Sequence, residues 1–123
     1  MKQLTKAEEE VMQHLWQQQK AFVKEILAEF PEPKPAYNTV STIIRILEKK
    51  GYVGFKSYGK AHQYLPLVTK DAYSKQSLLK MVSNYFEGSF KELVSFFVKD
   101  ENISVSELSE IQAMLEYKKS QLE

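Results

Sequence analysis

A helical pattern that runs directly into a hairpin pattern, within residues 36–67, constrains the fold of this 123-residue chain more than any other feature. Four apolar side chains recur at the spacing of one face of an α-helix: Val40, Ile43, Ile44 and Leu47. Gly51 follows at the position where a left-handed residue ends a helix. The next residues predict two short strands, 52–57 and 62–65, which are joined by a turn at 58–60.

The rest of this helix carries short hydrogen-bonding side chains and a basic end: Asn38, Thr39, Ser41, Thr42, Arg45 and Lys49. Lys56 and Lys60 lie at or beside the predicted hairpin tip. A polar helix followed by a basic hairpin is the layout of a winged helix-turn-helix, in which the helix enters the major groove of DNA and the wing lies along the phosphates. Periodicity alone leaves open an ordinary α+β domain whose lysines are only solvated.

The positive charge of the chain is concentrated in this region. The net charge is +1, but residues 1–70 hold eleven Lys and Arg against seven Asp and Glu, whereas residues 71–123 hold six against nine. Between residues 33 and 60 there are six basic residues and one acidic residue, Glu48. A phosphate-binding surface requires this kind of distribution.

Two further helices are predicted before this stretch. Thr5 and Glu8 have the spacing of a capping box, and Val23 begins the pattern of the second helix, which the prolines of residues 31–35 end. A short strand near Ala21 is expected to pair with the wing. The first helix has an apolar stripe made of Leu4, Ala7, Val11, Met12, Leu15 and Trp16. We therefore expect residues 1–68 to form a winged-helix DNA-binding domain.

Residues 69–123 predict three amphipathic helices, over about 71–86, over 90–98 and from Ser104 onward, with a turn at 100–102. Three short helices cannot bury this much apolar surface alone, and a second identical chain is the simplest partner. Packing against the N-terminal domain is the alternative. The residues predicted for dimerisation are Leu78, Met81, Tyr85, Phe90, Leu93, Val94, Phe97, Leu108, Ile111 and Leu115. The predicted fold class is mainly α with a small β-hairpin: a winged helix-turn-helix followed by a helical dimerisation region.

Composition argues against an enzyme, a cofactor or a metal site. The chain has no cysteine and only four glycines, so thiolate ligands and a Gly-rich phosphate loop are both excluded. Its two histidines, His14 and His62, are far apart in sequence and belong to no ligand motif; His62 would lie on a wing strand near phosphate. The chain has no apolar run of membrane-spanning length and no signal peptide, so we expect a cytoplasmic protein that does not insert into membranes.

Five segments in this order resemble the penicillinase and methicillin-resistance repressors and the related copper-responsive repressors: Leu4–Trp16, Asn38–Val53, Gln63–Val68, Phe86–Val98 and Ser106–Gln112. The resemblance implies a dimeric winged-helix repressor that binds operators with dyad symmetry upstream of resistance genes. It also implies release through a membrane metalloprotease sensor, with the repressor cut in its dimerisation helices. By position, that bond would join Phe96 and Phe97.

The chain departs from this family at several positions. Family members often carry a capping Ser in place of Ala36 and a basic residue in place of Ser41, so the operator sequence does not carry over. The cut bond is Asn-Phe in the family, where this chain has Phe96 and Phe97. Copper-responsive members carry a cysteine motif, and its absence here excludes release by copper. Two other functions remain open, a winged-helix module that binds proteins and a DNA-binding regulator without induction.

Overall fold

The structure is a computed structural model that describes residues 1–100 and 102–123. In these residues the elements follow the order α1 (Lys6–Gln18), α2 (Val23–Ala28), α3 (Tyr37–Lys49), β1 (Val53–Tyr58), β2 (Ala61–Pro66), α4 (Lys70–Tyr85), α5 (Phe90–Val98) and α6 (Val105–Leu122). The predicted fold class, mainly helical with one antiparallel hairpin, is confirmed. Glu101, part of the predicted turn at 100–102, lies outside the described residues.

Packing divides the chain into two compact units, Met1–Gln76 and Ser77–Glu123, and the division falls inside α4. We call them the N-terminal unit and the C-terminal unit. The predicted functional boundary between residues 68 and 69 stays a prediction, because a division by packing does not show where a function ends.

The core of the N-terminal unit is built from one face of each of its three helices and from the start of the hairpin. Its fully buried side chains include Val11, Met12 and Leu15 of α1, Ile26 of α2, Val40, Ile44 and Leu47 of α3, and Tyr52 and Val53. Ala21 pairs with Tyr64 of β2 through two backbone hydrogen bonds of 2.9 and 2.8 Å. The predicted strand near Ala21 is thus confirmed as a single bridge.

The predicted capping box begins α1. Thr5 Oγ1 accepts from the backbone N–H of Glu8, and Glu8 Oε1 accepts from the N–H of Thr5. The apolar stripe was wrong at Ala7, which is exposed, while Glu8 is buried. Helix α2 ends at Ala28, before the prolines of residues 31–35 that were predicted to end it.

The junction between α3 and the hairpin follows the sequence pattern closely. Gly51 adopts a φ of +84°, which is the left-handed conformation predicted there. The turn is shorter than predicted: Tyr58 pairs with Ala61, so only Gly59 and Lys60 connect the strands. Gly59 has a φ of +62°, which a tight two-residue hairpin turn requires and which glycine adopts without strain.

The C-terminal unit has helix caps but almost no interior. Ser89 Oγ accepts from the N–H of Glu92 at the start of α5, and Ser104 Oγ accepts from that of Glu107 at the start of α6. Among the described residues from 77 to 123, Val82 is the only one that is buried, and none is buried in α5 or α6.

Candidate nucleic-acid interface

Helix α3 separates an apolar side from a polar side. Val40, Ile44 and Leu47 are fully buried in the core. The residues that the sequence predicted for DNA binding point away from this core: Asn38, Thr39, Thr42, Arg45 and Lys49 are exposed, and Ser41 is half-buried. Burial of one face therefore determines which side of α3 is free for a partner.

The hairpin forms a wing next to α3. Lys60 lies in its two-residue turn, and Lys56 lies in β1 opposite Gln63. Both lysines are exposed. Lys56 Nζ is 5.5 Å from the centre of the Tyr58 ring, a cation–π contact that keeps its ammonium group along the strand. The two predicted wing lysines thus lie at the tip and along one strand of the hairpin.

A cleft of about 430 Å³ separates α3 from the wing. Its walls come from the start of α2, the outer side of α3 and the start of β2; they are Phe22, Val23, Lys24, Tyr37, Ser41, Arg45, Lys60, Ala61, His62 and Tyr64. The cleft brings together three of the predicted DNA-binding residues, Ser41, Arg45 and Lys60. The other five lie elsewhere on α3 and β1.

Two side chains in the cleft have a defined orientation. Arg45 Nη2 donates to Ser41 Oγ at 3.2 Å, so the guanidinium lies back along α3 toward the cleft. The imidazole of His62 stacks on Phe55, with ring centroids 4.0 Å apart and planes 7° apart. Contacts within the chain therefore orient both groups at the cleft.

Burial raises the pKa of the Tyr64 hydroxyl, the charge of Glu48 raises it further, and Arg45 opposes this effect. The shift favours the neutral form of the Tyr64 hydroxyl at the cleft.

Sequence reasoning missed Lys24 and Tyr37 as members of this cleft. Lys24 comes from α2, and the bridge between Ala21 and Tyr64 holds the start of α2 beside the wing. The strand predicted near Ala21 was the signal that could have placed Lys24 there.

Two of the six basic residues between positions 33 and 60 are engaged inside the N-terminal unit. Lys34 Nζ donates to the carbonyl oxygens of Phe30 at 2.7 Å and Ala28 at 2.9 Å, where it neutralises the end of α2. Lys50 Nζ lies 2.6 Å from Glu8 Oε1. The charge count therefore overstated the positive charge available to phosphate. The basic residues that remain available are Arg45, Lys49, Lys56 and Lys60.

The described residues contain neither a cluster of metal ligands nor a membrane-spanning helix. Nowhere in residues 1–100 and 102–123 do three or more His, Asp or Glu side chains come together as metal ligands. Within the same residues, no helix combines the length and the apolar character needed to cross a bilayer.

Three helices, a two-stranded wing and an outward polar side of α3 define a winged helix-turn-helix protein. Residues 4–117 match the sequence profile of the penicillinase repressor family. The chain belongs to this family, whose members are transcriptional repressors.

The relatives match over almost their whole length. The methicillin resistance regulatory protein MecI of Staphylococcus aureus (strain N315) is 30% identical over 117 residues, which cover 94% of this chain and 95% of that protein. The penicillinase repressor of Bacillus licheniformis is 24% identical over 119 residues, or 96% and 93% of the two chains.

One solved structure superposes on this chain with a TM-score of 0.47 at 17% identity. Its title is "Mechanism for regulation of DNA binding of Bordetella bronchiseptica BpsR by 6-hydroxynicotinic acid". The match covers 96% of this chain and 76% of that one.

Proposed function

We propose that this chain is a cytoplasmic, dimeric, sequence-specific DNA-binding repressor of the penicillinase-repressor type, without enzymatic activity. The observation that carries the proposal is the outward polar side of α3, from Asn38 to Lys49, with the basic wing beside it. A helix of about 13 residues fits the major groove, and a wing beside it reaches the adjacent phosphates. Family membership supports the same function.

The exposed residues divide into two proposed roles. Thr39, Thr42 and Arg45 approach base edges, because hydroxyl and guanidinium groups can read the donor and acceptor pattern of the major groove. Lys49, Lys56 and Lys60 neutralise phosphates, which adds affinity on any sequence. Asn38 and Ser41 complete the outward side of α3.

The C-terminal unit supports the proposal of a homodimer. Of the ten residues predicted for dimerisation, Leu93 and Ile111 are half-buried and the other eight are exposed in the single chain. An apolar surface of this extent is typical of a protein-binding face. A two-fold dimer would present two copies of α3 to an operator with dyad symmetry.

Release by a membrane metalloprotease sensor is the finer part of the proposal, and it rests on the resemblance to the family. The bond between Phe96 and Phe97 lies in the last turn of α5, and both side chains are at least half exposed. In the single chain, the exposure of both side chains supports cleavage there.

Two substitutions test the division of roles on α3 and the wing. We expect Arg45→Ala to lower the affinity for the operator more than that for random duplex, because a good bidentate contact to guanine contributes about 1–3 kcal/mol of discrimination. Lys60→Ala should weaken all duplexes alike and reduce the log–log salt slope by about one unit. Fluorescence anisotropy measures both, using a duplex selected by the wild type from a random-sequence pool and a scrambled duplex.

Equal losses on the selected and scrambled duplexes for both variants would contradict the assignment of Arg45 to base edges. If the wild-type protein does not bind duplex DNA, the proposed repressor function is contradicted and a protein-binding module is favoured.

A further inference from the structure

We propose that the cleft between α2, α3 and the wing binds one phosphodiester group of a DNA strand, and that Lys24 and Tyr37 are phosphate-binding residues of this chain. The inference rests on the proposed DNA-binding function and adds to it a defined position for one strand. Neither residue stands out in the sequence, and both reach the cleft only through the fold.

The charges around the cleft point to an anion. Lys24 on α2, Arg45 on α3 and Lys60 in the hairpin turn come from three separate elements. Among the residues that the structure describes, no Asp or Glu side chain lines the walls. Like charges gathered on one concave surface repel each other, and they focus a positive potential inside it. A phosphate bound between Lys24 and Lys60 would relieve that repulsion and leave the Arg45 guanidinium to the base edges.

The neutral groups of the cleft suit a phosphodiester as well. Tyr37 is the first residue of α3, and its side chain is about half exposed, so its hydroxyl can donate to a ligand. Ser41 Oγ already accepts a hydrogen bond from Arg45, which leaves the Ser41 hydroxyl proton available for donation. At DNA interfaces, cationic side chains and neutral hydrogen-bond donors both contact phosphate oxygens.

The position of the cleft favours a DNA strand over a small free anion. Arg45 and Ser41 belong both to the cleft wall and to the outward side of α3, so the cleft continues the surface proposed to enter the major groove. Lys24, Arg45 and Lys60 are all exposed, which leaves the cleft open to a long ligand. A strand that passes from α3 to the wing must cross this opening.

The experiment compares Lys24→Ala with Lys70→Ala, which removes the same charge from a different groove of the N-terminal unit, lined by Gln13 and Trp16. The probes are the selected and scrambled duplexes in a potassium chloride series. We expect Lys24→Ala to weaken both duplexes by the same factor and to reduce the salt slope by about 0.9, and Lys24→Arg to restore the slope. Lys70→Ala should leave the slope as in the wild type.

Tyr37→Phe separates the hydrogen bond from the charge. Loss of one hydrogen bond to a phosphate oxygen should weaken binding by about 2–10-fold while the salt slope stays unchanged, because no charge is removed. Circular dichroism and thermal melting of each variant check that the fold is retained.

The outcomes separate this inference from the proposed function. If the wild type binds the selected duplex and Lys24→Ala behaves like Lys70→Ala, the phosphate cleft is wrong while the repressor proposal stands. If Lys24→Ala leaves duplex affinity and the salt slope unchanged but abolishes binding of inorganic phosphate to the protein, the cleft is a site for a free anion instead. Absence of duplex binding by the wild type would overturn both proposals.

Discussion

Glu8 and Lys50 form an ion pair between side chains that lie 42 positions apart in sequence. The carboxylate is almost fully buried at the start of α1, where it also takes part in the capping box with Thr5. Lys50 is the C-cap residue that follows α3, and its Nζ also lies 3.4 Å from the carbonyl oxygen of Gln3. The pair therefore fixes the end of α3 to the start of α1.

The pKa of the Glu8 carboxyl is lowered. Burial by itself raises it, but the hydrogen bond from Lys50, the backbone N–H of Thr5 and the charge of Lys50 outweigh burial, so it lies below the ordinary value of 4.5. A carboxyl whose pKa is depressed by folding stabilises the folded state above its unfolded pKa. This stabilisation is lost as the pH falls through the folded pKa.

We expect Glu8→Gln to lower the free energy of unfolding at neutral pH by about 1–3 kcal/mol, because glutamine can still cap the helix but leaves Lys50 without its counter-charge. The difference from the wild type should be full at pH 7 and should shrink as the pH falls below about 4.5. Urea denaturation of both proteins at several pH values between 7 and acid measures the difference in the free energy of unfolding.

Glu10→Gln is the matched control, since Glu10 is an exposed acid on the same helix. If Glu8→Gln lowers the free energy of unfolding by the same amount at pH 7 and in acid, the ion pair is not the cause of the loss.

At the scale of single elements, the sequence predicted what is determined by neighbouring residues. The capping box of Thr5 and Glu8, the left-handed Gly51 and the bounds of α5 all depend on residues within one or two helical turns, and each is confirmed. The hairpin was predicted with a turn that was one residue too long, because the strand register depends on pairing across the sheet as well as on local turn residues.

What could not be predicted depends on contacts between distant segments. Helical periodicity placed Ala7 in the core and gave Glu8 only a capping role, because nothing near Glu8 in sequence indicates its partner Lys50. Lys34 and Lys50 were counted with the phosphate-facing charge for the same reason. Lys24 was missed although the strand predicted near Ala21 pointed to it, because the bridge to Tyr64 that brings α2 beside the wing is a contact between distant segments.

Helix α5 carries the bond whose cleavage we propose. Its last turn is held by hydrogen bonds from Lys99 N to Ser95 O at 3.2 Å and from Asp100 N to Phe97 O at 3.0 Å. Helix ends open at a low free-energy cost, so this turn can present an extended segment to a protease. We expect mass spectrometry of cells in which the repressed genes are induced to detect a fragment that ends at Phe96. Full induction with only intact chain would contradict cleavage.

At the scale of the whole molecule, the two units differ in how they are stabilised. The N-terminal unit has a core in which all three helices contribute fully buried side chains, whereas Val82 alone is buried among the described residues of the C-terminal unit. Stable interfaces bury about 800 Å² on each partner, and a single aromatic side chain supplies about 150–250 Å². The exposed aromatic and aliphatic residues of α4, α5 and α6 together carry apolar area of the order that one side of such an interface needs.

We expect Val94→Glu to convert a dimer into a monomer, because Val94 is half exposed on α5 and a carboxylate there would be desolvated in an apolar interface. Sedimentation velocity at micromolar concentration measures the change. Ser74→Glu adds the same charge at an exposed position of the N-terminal unit and should leave the dimer intact. A wild-type chain that sediments as a monomer would refute the dimer.

The near absence of an interior in the C-terminal unit has a regulatory consequence. If pairing supplies that interior, the amount of binding-competent species rises with the square of the amount of chain while most copies are still single. If synthesis drops modestly, or if a fraction of the copies is removed, the occupancy of the operator would then fall by a larger factor than the amount of chain. Sharp derepression would follow from mass action, with no allosteric switch inside the protomer.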